Sequence, residues 1–238
     1  MSFTFKKFAI EDVHCAMKVG TDAVLLGAWA NINEIQTICD VGTGSGVISL
    51  ILAQRLSEES PDAFPQCSIL GVEIDEDAFG DYTANVNNSI WKDKFKGINA
   101  DFKEIRGTFD LIISNPPFFA ESLKSPSRKR TLARQGDTLS YQSLIRFAVT
   151  HLNSGGRLCF ISDYNSMNDI EYHIMLNKLF LQRRCIVHSN SSSLPKRVLW
   201  EVGREECHSV DRTSLYIYED RQFSAEYINL TKRFYLNF

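Results

Sequence analysis

A glycine-rich turn constrains the fold of this 238-residue chain more than any other feature of its sequence. The turn, Asp40–Gly46 (DVGTGSG), lies between a short apolar segment, QTICDV, and an amphipathic one, VISLILAQRLSEE. Glycines at alternate positions allow a tight turn and the close approach of a ligand to the backbone. The third glycine of a dinucleotide fingerprint would fall on Val47, and the lysine of a Walker motif is missing. The sequence therefore predicts a strand–turn–helix unit with neither the nicotinamide nor the ATP pattern.

The rest of the chain alternates between helix-like and strand-like segments. Apolar periodicity predicts helices over residues 22–33, 47–59, 75–89, 138–153 and 169–181, with Gly155-Gly156 closing the fourth. Short apolar segments predict strands in QTICDV, CSILGVEID, GINADF, FDLIIS, RLCFIS, RRCIVHS, RVLWEVGRE and TSLYIYED. This order predicts an α/β fold with an open, mostly parallel sheet and helices on both faces.

Composition and charge exclude several classes of protein. No apolar segment approaches the roughly 18 residues that a transmembrane helix needs, and the N-terminus lacks the apolar region of a signal peptide. The six cysteines are far apart, which favours reduced thiols and a cytoplasmic location. Cys185 and His188 fit no standard zinc spacing, so no metal site is expected. Residues 121–134 hold five basic side chains against one acidic, and this segment is either a solvated loop or a local site for a polyanion.

Two further motifs end predicted strands. Glu73 closes CSILGVEID, and a carboxylate at the end of the strand next to a glycine turn can accept hydrogen bonds from both hydroxyls of a ribose. The alternative is a glycine turn that merely closes a strand. Asn115-Pro116-Pro117-Phe118 closes FDLIIS, and two prolines cannot continue a central strand. An ordinary strand stop is one interpretation, and a rigid polar ledge beside a nucleoside site is the other.

The ordered set DVGTGSG, GVEID, NADF and NPPF resembles the class I S-adenosylmethionine-dependent methyltransferases that act on exocyclic or amide nitrogens. The resemblance implies a Rossmann-like, seven-stranded sheet and S-adenosylmethionine as the cofactor. It also implies that the methionine end of the cofactor is lined by Asp40, Gly42, Gly44 and Gly46. Glu73 would hold the ribose, Ile74 would pack on the cofactor adenine, and Asp101, with Phe102 beside it, would accept from the adenine amino group. Asn115, Pro116, Pro117 and Phe118 would form the catalytic ledge, with Phe118 stacked on the target base.

Four more segments are similar to the bacterial valine-tRNA adenine-37 N6-methyltransferase family: MKVGTDAVLLGAWA, RKRTLAR, KRVLWE and LTKRFYLNF. This resemblance implies a tRNA partner, contacted at its anticodon loop by Arg128, Lys129, Arg130 and Arg134. It implies that Thr21 contacts the cofactor carboxylate. One domain is expected, with residues 1–36 as an N-terminal extension and helix beside the cofactor site and residues 37–238 as the catalytic core. No membrane association and no obligate protein partner are expected.

Two other functions remain open at this stage. A protein-glutamine N5-methyltransferase acting on a release factor would use the same ledge on an amide nitrogen, although the basic segment and MKVGTD favour RNA. The second open function is a non-catalytic module that binds a cofactor or RNA. The presence of Glu73, Asp101 and Asn115 argues against it. A DNA adenine methyltransferase is less favoured because the chain has no room for a separate target-recognition domain.

Overall fold

The computed structural model describes residues 2–117 and 139–238. Within them one sheet has eight strands in the spatial order β10-β8-β9-β7-β6-β3-β4-β5. The strands are β3 (Thr37–Val41), β4 (Ser68–Glu73), β5 (Phe95–Asn99), β6 (Phe109–Ser114), β7 (Leu152–Asp163), β8 (Phe180–His188), β9 (Pro195–Gly203) and β10 (Asp211–Tyr216). Strand β9 is antiparallel to both of its neighbours, and the other pairs are parallel. The open, mostly parallel sheet expected from the sequence is confirmed.

The helices that pack on the sheet are α1 (Thr21–Trp29), α2 (Val47–Glu59), α3 (Glu76–Asn87), α4 (Tyr141–His151) and α5 (Met167–Leu176). Residues of α1 and α2 share one core cluster with Ile38, Leu111 and Leu199. Residues of α4 and α5 share a second cluster with Ile112 and Trp200. Because neighbouring strand residues point to opposite faces, these clusters lie on the two sides of the sheet. Helices therefore cover both faces, as expected.

The strand number implied by the resemblance and several predicted helix ends differ from the structure. The first helix ends at Trp29, and the fifth ends at Leu176, since Phe180 and Leu181 belong to β8. The described sheet has the eight strands that the apolar segments predict, TSLYIYED included, rather than the seven that the family resemblance implies, because β10 adds a parallel strand at the outer edge of β8. The fourth predicted helix ends at His151 and not at Gly155-Gly156, which lie inside β7. A Cβ on Gly156 would come within 2.9 Å of the Phe109 carbonyl oxygen, so close strand packing is what requires glycine there.

Several short elements were not expected from the sequence. Strands β1 (Ser2–Thr4) and β2 (Ala9–Glu11) pair with each other, as do β11 (Tyr218–Glu219) and β12 (Gln222–Phe223). Helix α6 (Ala225–Thr231) follows, begun by the Ser224 side chain, which accepts from the Tyr227 amide. A helix long and apolar enough to cross a membrane does not occur in residues 2–117 or 139–238.

Candidate active site

Apart from Thr21, the predicted site residues of the described segments lie where the parallel strands end, which we call the carboxyl edge of the sheet. The central strand β3 pairs with β4 on one side and β6 on the other. The glycine turn after β3 is therefore flanked by Glu73, at the end of β4, and by Asn115, just after β6. Asp101 follows β5, the next strand outward. The topology thus brings together side chains that are up to 75 residues apart in the sequence.

The glycine turn has the geometry of an open cradle. Gly42, Gly44 and Gly46 have φ values of 68°, 54° and 82°, a region that favours glycine. A Cβ on Gly44 would meet no atom of the described residues within 4 Å, so this part of the turn is open to a ligand. A Cβ on Gly42 would come within 2.7 Å of Leu139, which packs against the turn.

Asp40 is a buried carboxylate beneath this turn. Its Oδ2 accepts hydrogen bonds of 2.7 Å from both Thr43 Oγ1 and Ser49 Oγ. Its Oδ1 is buried and has no hydrogen-bond partner among the described residues. Burial raises the pKa of Asp40 to about 6, although the two hydroxyl donors oppose the shift. A buried, half-satisfied acceptor of this kind is suited to a cationic or hydrogen-bond-donating ligand.

We expect Asp40→Asn to stabilise the ligand-free protein at pH 7 and to have little effect near pH 4. The folded-state pKa of about 6 lies above the unfolded value of 3.8, so the native wild type loses stability as pH rises between them. This pKa shift lowers the free energy of unfolding of the wild type by roughly 2–3 kcal/mol at pH 7. The variant has an uncharged amide and does not incur that loss. Urea unfolding of both proteins at the two pH values measures the difference. A difference that does not change with pH would contradict the expectation.

Glu73, the last residue of β4, lies beside the glycine turn and is held there by three backbone amides. Its Oε2 accepts from the Gly44 amide at 2.9 Å, and its Oε1 accepts from the amides of Ile74 and Asp75 at 2.9 and 3.0 Å. These bonds hold the carboxylate directly beside the glycine turn. Ile74 is 46% exposed, so an apolar side chain is presented to solvent next to it.

Asp101 and Phe102 follow β5 in different environments. Asp101 is half-buried and accepts from the Lys103 amide at 3.0 Å. Phe102 is buried and packs edge-to-face on Phe147, with ring centroids 5.3 Å apart. The carboxylate is therefore at the surface of the site, whereas the ring contributes to the core beneath it.

Sequence reasoning missed two residues of α3 that attach the N-terminal segment to the turn. Asn85 Nδ2 donates to the carbonyls of Glu11 and Ser45, at 2.8 and 2.9 Å. Asp81 accepts from the amides of His14 and Cys15, at 2.7 and 3.1 Å. Both side chains are buried, and their spacing of four residues on one helix face is the only local signal that could have indicated them.

The N-terminal segment reaches the carboxyl edge at two points. Burial raises the pKa of the Cys15 thiol to about 12, and the neighbouring Asp81 carboxylate adds to the shift, so the thiol stays protonated beside α3. Thr21 is exposed at the first residue of α1, and the adjacent Asp22 accepts from Arg197 Nε at 2.8 Å. Arg197 in turn is the register partner of the last residue of β7.

Asn115, Pro116 and Pro117 form what we call the proline ledge. The preceding Ser114 donates its hydroxyl to the Val41 carbonyl at 2.7 Å, which ties the ledge to the strand that carries the glycine turn. Asn115 Oδ1 is buried and has no hydrogen-bond partner among residues 2–117 and 139–238. The ledge therefore carries a rigidly placed acceptor that the described fold does not use. The other predicted site residues lie outside the described residues: Phe118, Arg128, Lys129, Arg130 and Arg134.

Comparisons with known proteins agree with this geometry. Residues 9–192 match the methyltransferase small domain family. The tRNA1(Val) (adenine(37)-N6)-methyltransferase of Histophilus somni (strain 129Pt) is 37% identical over 241 residues, covering 99% of this chain and 98% of the relative. The protein of that name from Bacteroides thetaiotaomicron is 35% identical over 239 residues, covering 99% and 97%. A predicted O-methyltransferase from Agrobacterium tumefaciens has a similar structure, with a TM-score of 0.67, 18% identity and coverage of 90% and 96%, which confirms the class I methyltransferase fold.

Proposed function

The chain belongs to the tRNA1(Val) (adenine(37)-N6)-methyltransferase family and carries a methyltransferase small domain, and we propose that it methylates N6 of an adenosine in tRNA. The adenosine is at position 37, in the anticodon loop of a valine tRNA, by analogy with the names of these relatives. Such a substrate implies a cytoplasmic location. The observation that carries the proposal is the buried, unpaired Asn115 Oδ1 on the proline ledge beside the glycine turn.

The residues around the turn fit S-adenosylmethionine. The open cradle at Gly44 admits the ligand, and the buried Asp40 Oδ1 offers an acceptor near its cationic methionine end. Glu73 lies at the end of the adjacent strand, where its carboxylate can hold ribose hydroxyls, and Ile74 presents an apolar surface for the adenine. Asp101 accepts a hydrogen bond from the adenine amino group in this proposal, and Thr21 contacts the carboxylate of the cofactor. Residues 1–36 form an extension that helps to close this site over the core of residues 37–238.

The proline ledge makes the amino group of the target adenine a better nucleophile. An adenine amino group is a poor nucleophile because its lone pair is delocalised into the ring. Asn115 Oδ1 and the Pro116 carbonyl can each accept one N–H of that group, and Pro117 has no N–H to compete for them. Two fixed acceptors favour a tetrahedral nitrogen whose lone pair is aimed at the methyl group. The cofactor would supply that methyl as an electrophile and leave as a neutral thioether. The methylated nitrogen, then positively charged, loses one proton to solvent water.

Substrate class is tested by incubating the protein with S-adenosylmethionine labelled in its methyl group. Separate reactions contain unmodified tRNA, a release factor with a glutamine acceptor, and double-stranded DNA. We expect label in tRNA alone, recovered after digestion as N6-methyladenosine. Asn115→Ala is the matched control, since it removes the ledge acceptor. Label in the release factor would instead support the glutamine N5-methyltransferase alternative.

A further inference from the structure

We infer that the hairpin of residues 189–196, which comprises the turn after β8 and the first two residues of β9, is a second contact surface for the RNA, with Leu194 packing on a nucleotide near the target and Lys196 binding the backbone. The inference rests on the proposed tRNA substrate. It concerns residues that belong to none of the motifs assigned above to the cofactor or the ledge.

The hairpin lies on the same side of the sheet as the proline ledge. Strand β9 is antiparallel to β7, with Arg197 opposite Asp163 at the end of β7, so the hairpin extends beyond the carboxyl edge. Strand β7 also pairs with β6, which carries Asn115 just past its end. Two strand spacings correspond to about 10 Å across the sheet. Ser114 of β6 pairs with Phe160 of β7, so Asn115 is level with a residue two positions before Asp163. Leu194 therefore lies about five residues, or about 17 Å, beyond the level of Asn115, which is within roughly six stacked nucleotides.

The side chain of Leu194 is exposed to solvent to an unusual degree for a leucine. It is 86% exposed, the highest exposure of a large hydrophobic side chain among residues 2–117 and 139–238. Apolar side chains of this kind pack against or between nucleotide bases when a protein distorts or splays a nucleic acid. A flipped-out adenosine leaves its neighbours partly unstacked, and these neighbours provide an apolar surface that Leu194 can cover.

Hydrogen bonds, a ring contact and an ion pair order the hairpin before any RNA binds. The Asn190 carbonyl accepts from the Ser193 amide at 3.1 Å and from the Ser193 hydroxyl at 2.8 Å. His188 stacks on Tyr216 with ring centroids 4.8 Å apart, which supports the base of the hairpin from β10. The ion pair from Arg197 to Asp22 anchors the other side. An ordered hairpin loses little conformational entropy when it binds.

The chemistry of the hairpin favours RNA over a protein partner. Residues 189–200 contain no acidic residue, and they combine the exposed cation of Lys196 with serine and asparagine side chains, while Arg197 is paired with Asp22. Such side chains donate hydrogen bonds to phosphate oxygens and to 2′-hydroxyls. Lys196 is exposed at the start of β9, where it can approach the backbone of a bound anticodon loop.

Steady-state kinetics with unmodified tRNA and saturating S-adenosylmethionine test the inference, using Leu194→Ala and Lys196→Ala. The matched controls are Ile90→Ala and Lys92→Ala, since Ile90 is 78% exposed and both residues lie before β5, at the opposite edge of the sheet. We expect Leu194→Ala to raise the KM for tRNA about 5- to 10-fold, with kcat and cofactor affinity unchanged. Lys196→Ala should reduce the slope of log KM against log salt by about 0.7–0.9.

A KM for Leu194→Ala equal to that for Ile90→Ala, in a wild type that methylates tRNA, would overturn the inference and leave the proposed function intact. A lower kcat with an unchanged KM would overturn it as well, because the hairpin would then not be a binding contact. A wild type that transfers methyl groups to protein and not to tRNA would overturn the proposed function itself.

Discussion

Replacing Asn115 with alanine should lower the rate of methyl transfer by about 10²–10³-fold, the scale seen when one preorganised polar contact to a transition state is lost. The buried Asn115 Oδ1 has no hydrogen-bond partner among the described residues, so its removal costs that part of the fold little. Affinity for S-adenosylmethionine should stay within a factor of a few. Single-turnover rates at saturating tRNA measure the chemical step, and calorimetry measures cofactor binding.

Asn115→Asp separates the role of the acceptor from that of the amide. The aspartate keeps an acceptor oxygen of nearly the same size and adds negative charge near a nitrogen that becomes positive as the methyl arrives. It should retain more activity than the alanine variant. Equal single-turnover rates for wild type and Asn115→Ala would mean that the proline ledge only terminates β6.

Glu73→Ala should weaken S-adenosylmethionine binding by about 10- to 100-fold, since charge-assisted hydrogen bonds contribute about 1.5–3 kcal/mol. The substitution also removes the acceptor of the Gly44 amide, so the cradle loses one of its supports. Glu73→Gln keeps an acceptor for that amide but not the charge, and its affinity should fall between those of wild type and Glu73→Ala.

Glu76→Ala is the matched control for this experiment. It removes the same charge three residues away, from an exposed position in the first turn of α3. Cofactor affinity, measured by calorimetry, should be close to that of wild type. Similar losses for Glu73→Ala and Glu76→Ala would show that general electrostatics, and not contact with the ribose, explains the effect.

The features that the sequence predicted well are those whose cause is local. Gly42, Gly44 and Gly46 have the positive φ values that their spacing suggested, because few other residues adopt that conformation easily. Strand β6 ends at Ser114, directly before the proline ledge, because proline cannot donate to the ladder. The buried segments alternate between helix and strand with enough regularity to indicate an open, mostly parallel sheet with both faces covered.

The features that the sequence did not predict depend on contacts between distant residues. Asp81 and Asn85 bind backbone groups 40 to 74 residues away, and no local pattern indicates such partners. Gly155-Gly156 was misread because a glycine pair serves equally well to end a helix and to let two strands approach closely. Leu194 lies between β8 and β9, outside both strands, and a single sequence does not reveal that the fold leaves its side chain uncovered.

Methylation of two matched anticodon stem-loops tests the central claim most directly. One carries adenosine at position 37 of a valine tRNA, and the other carries guanosine there, with all other adenosines retained. After incubation with the protein and S-adenosylmethionine, mass spectrometry of the digested nucleosides measures N6-methyladenosine. The proposed function predicts about one N6-methyladenosine per adenosine-37 RNA and none in the guanosine-37 RNA. Equal methylation of both RNAs, or of neither while a protein glutamine is methylated, would contradict it.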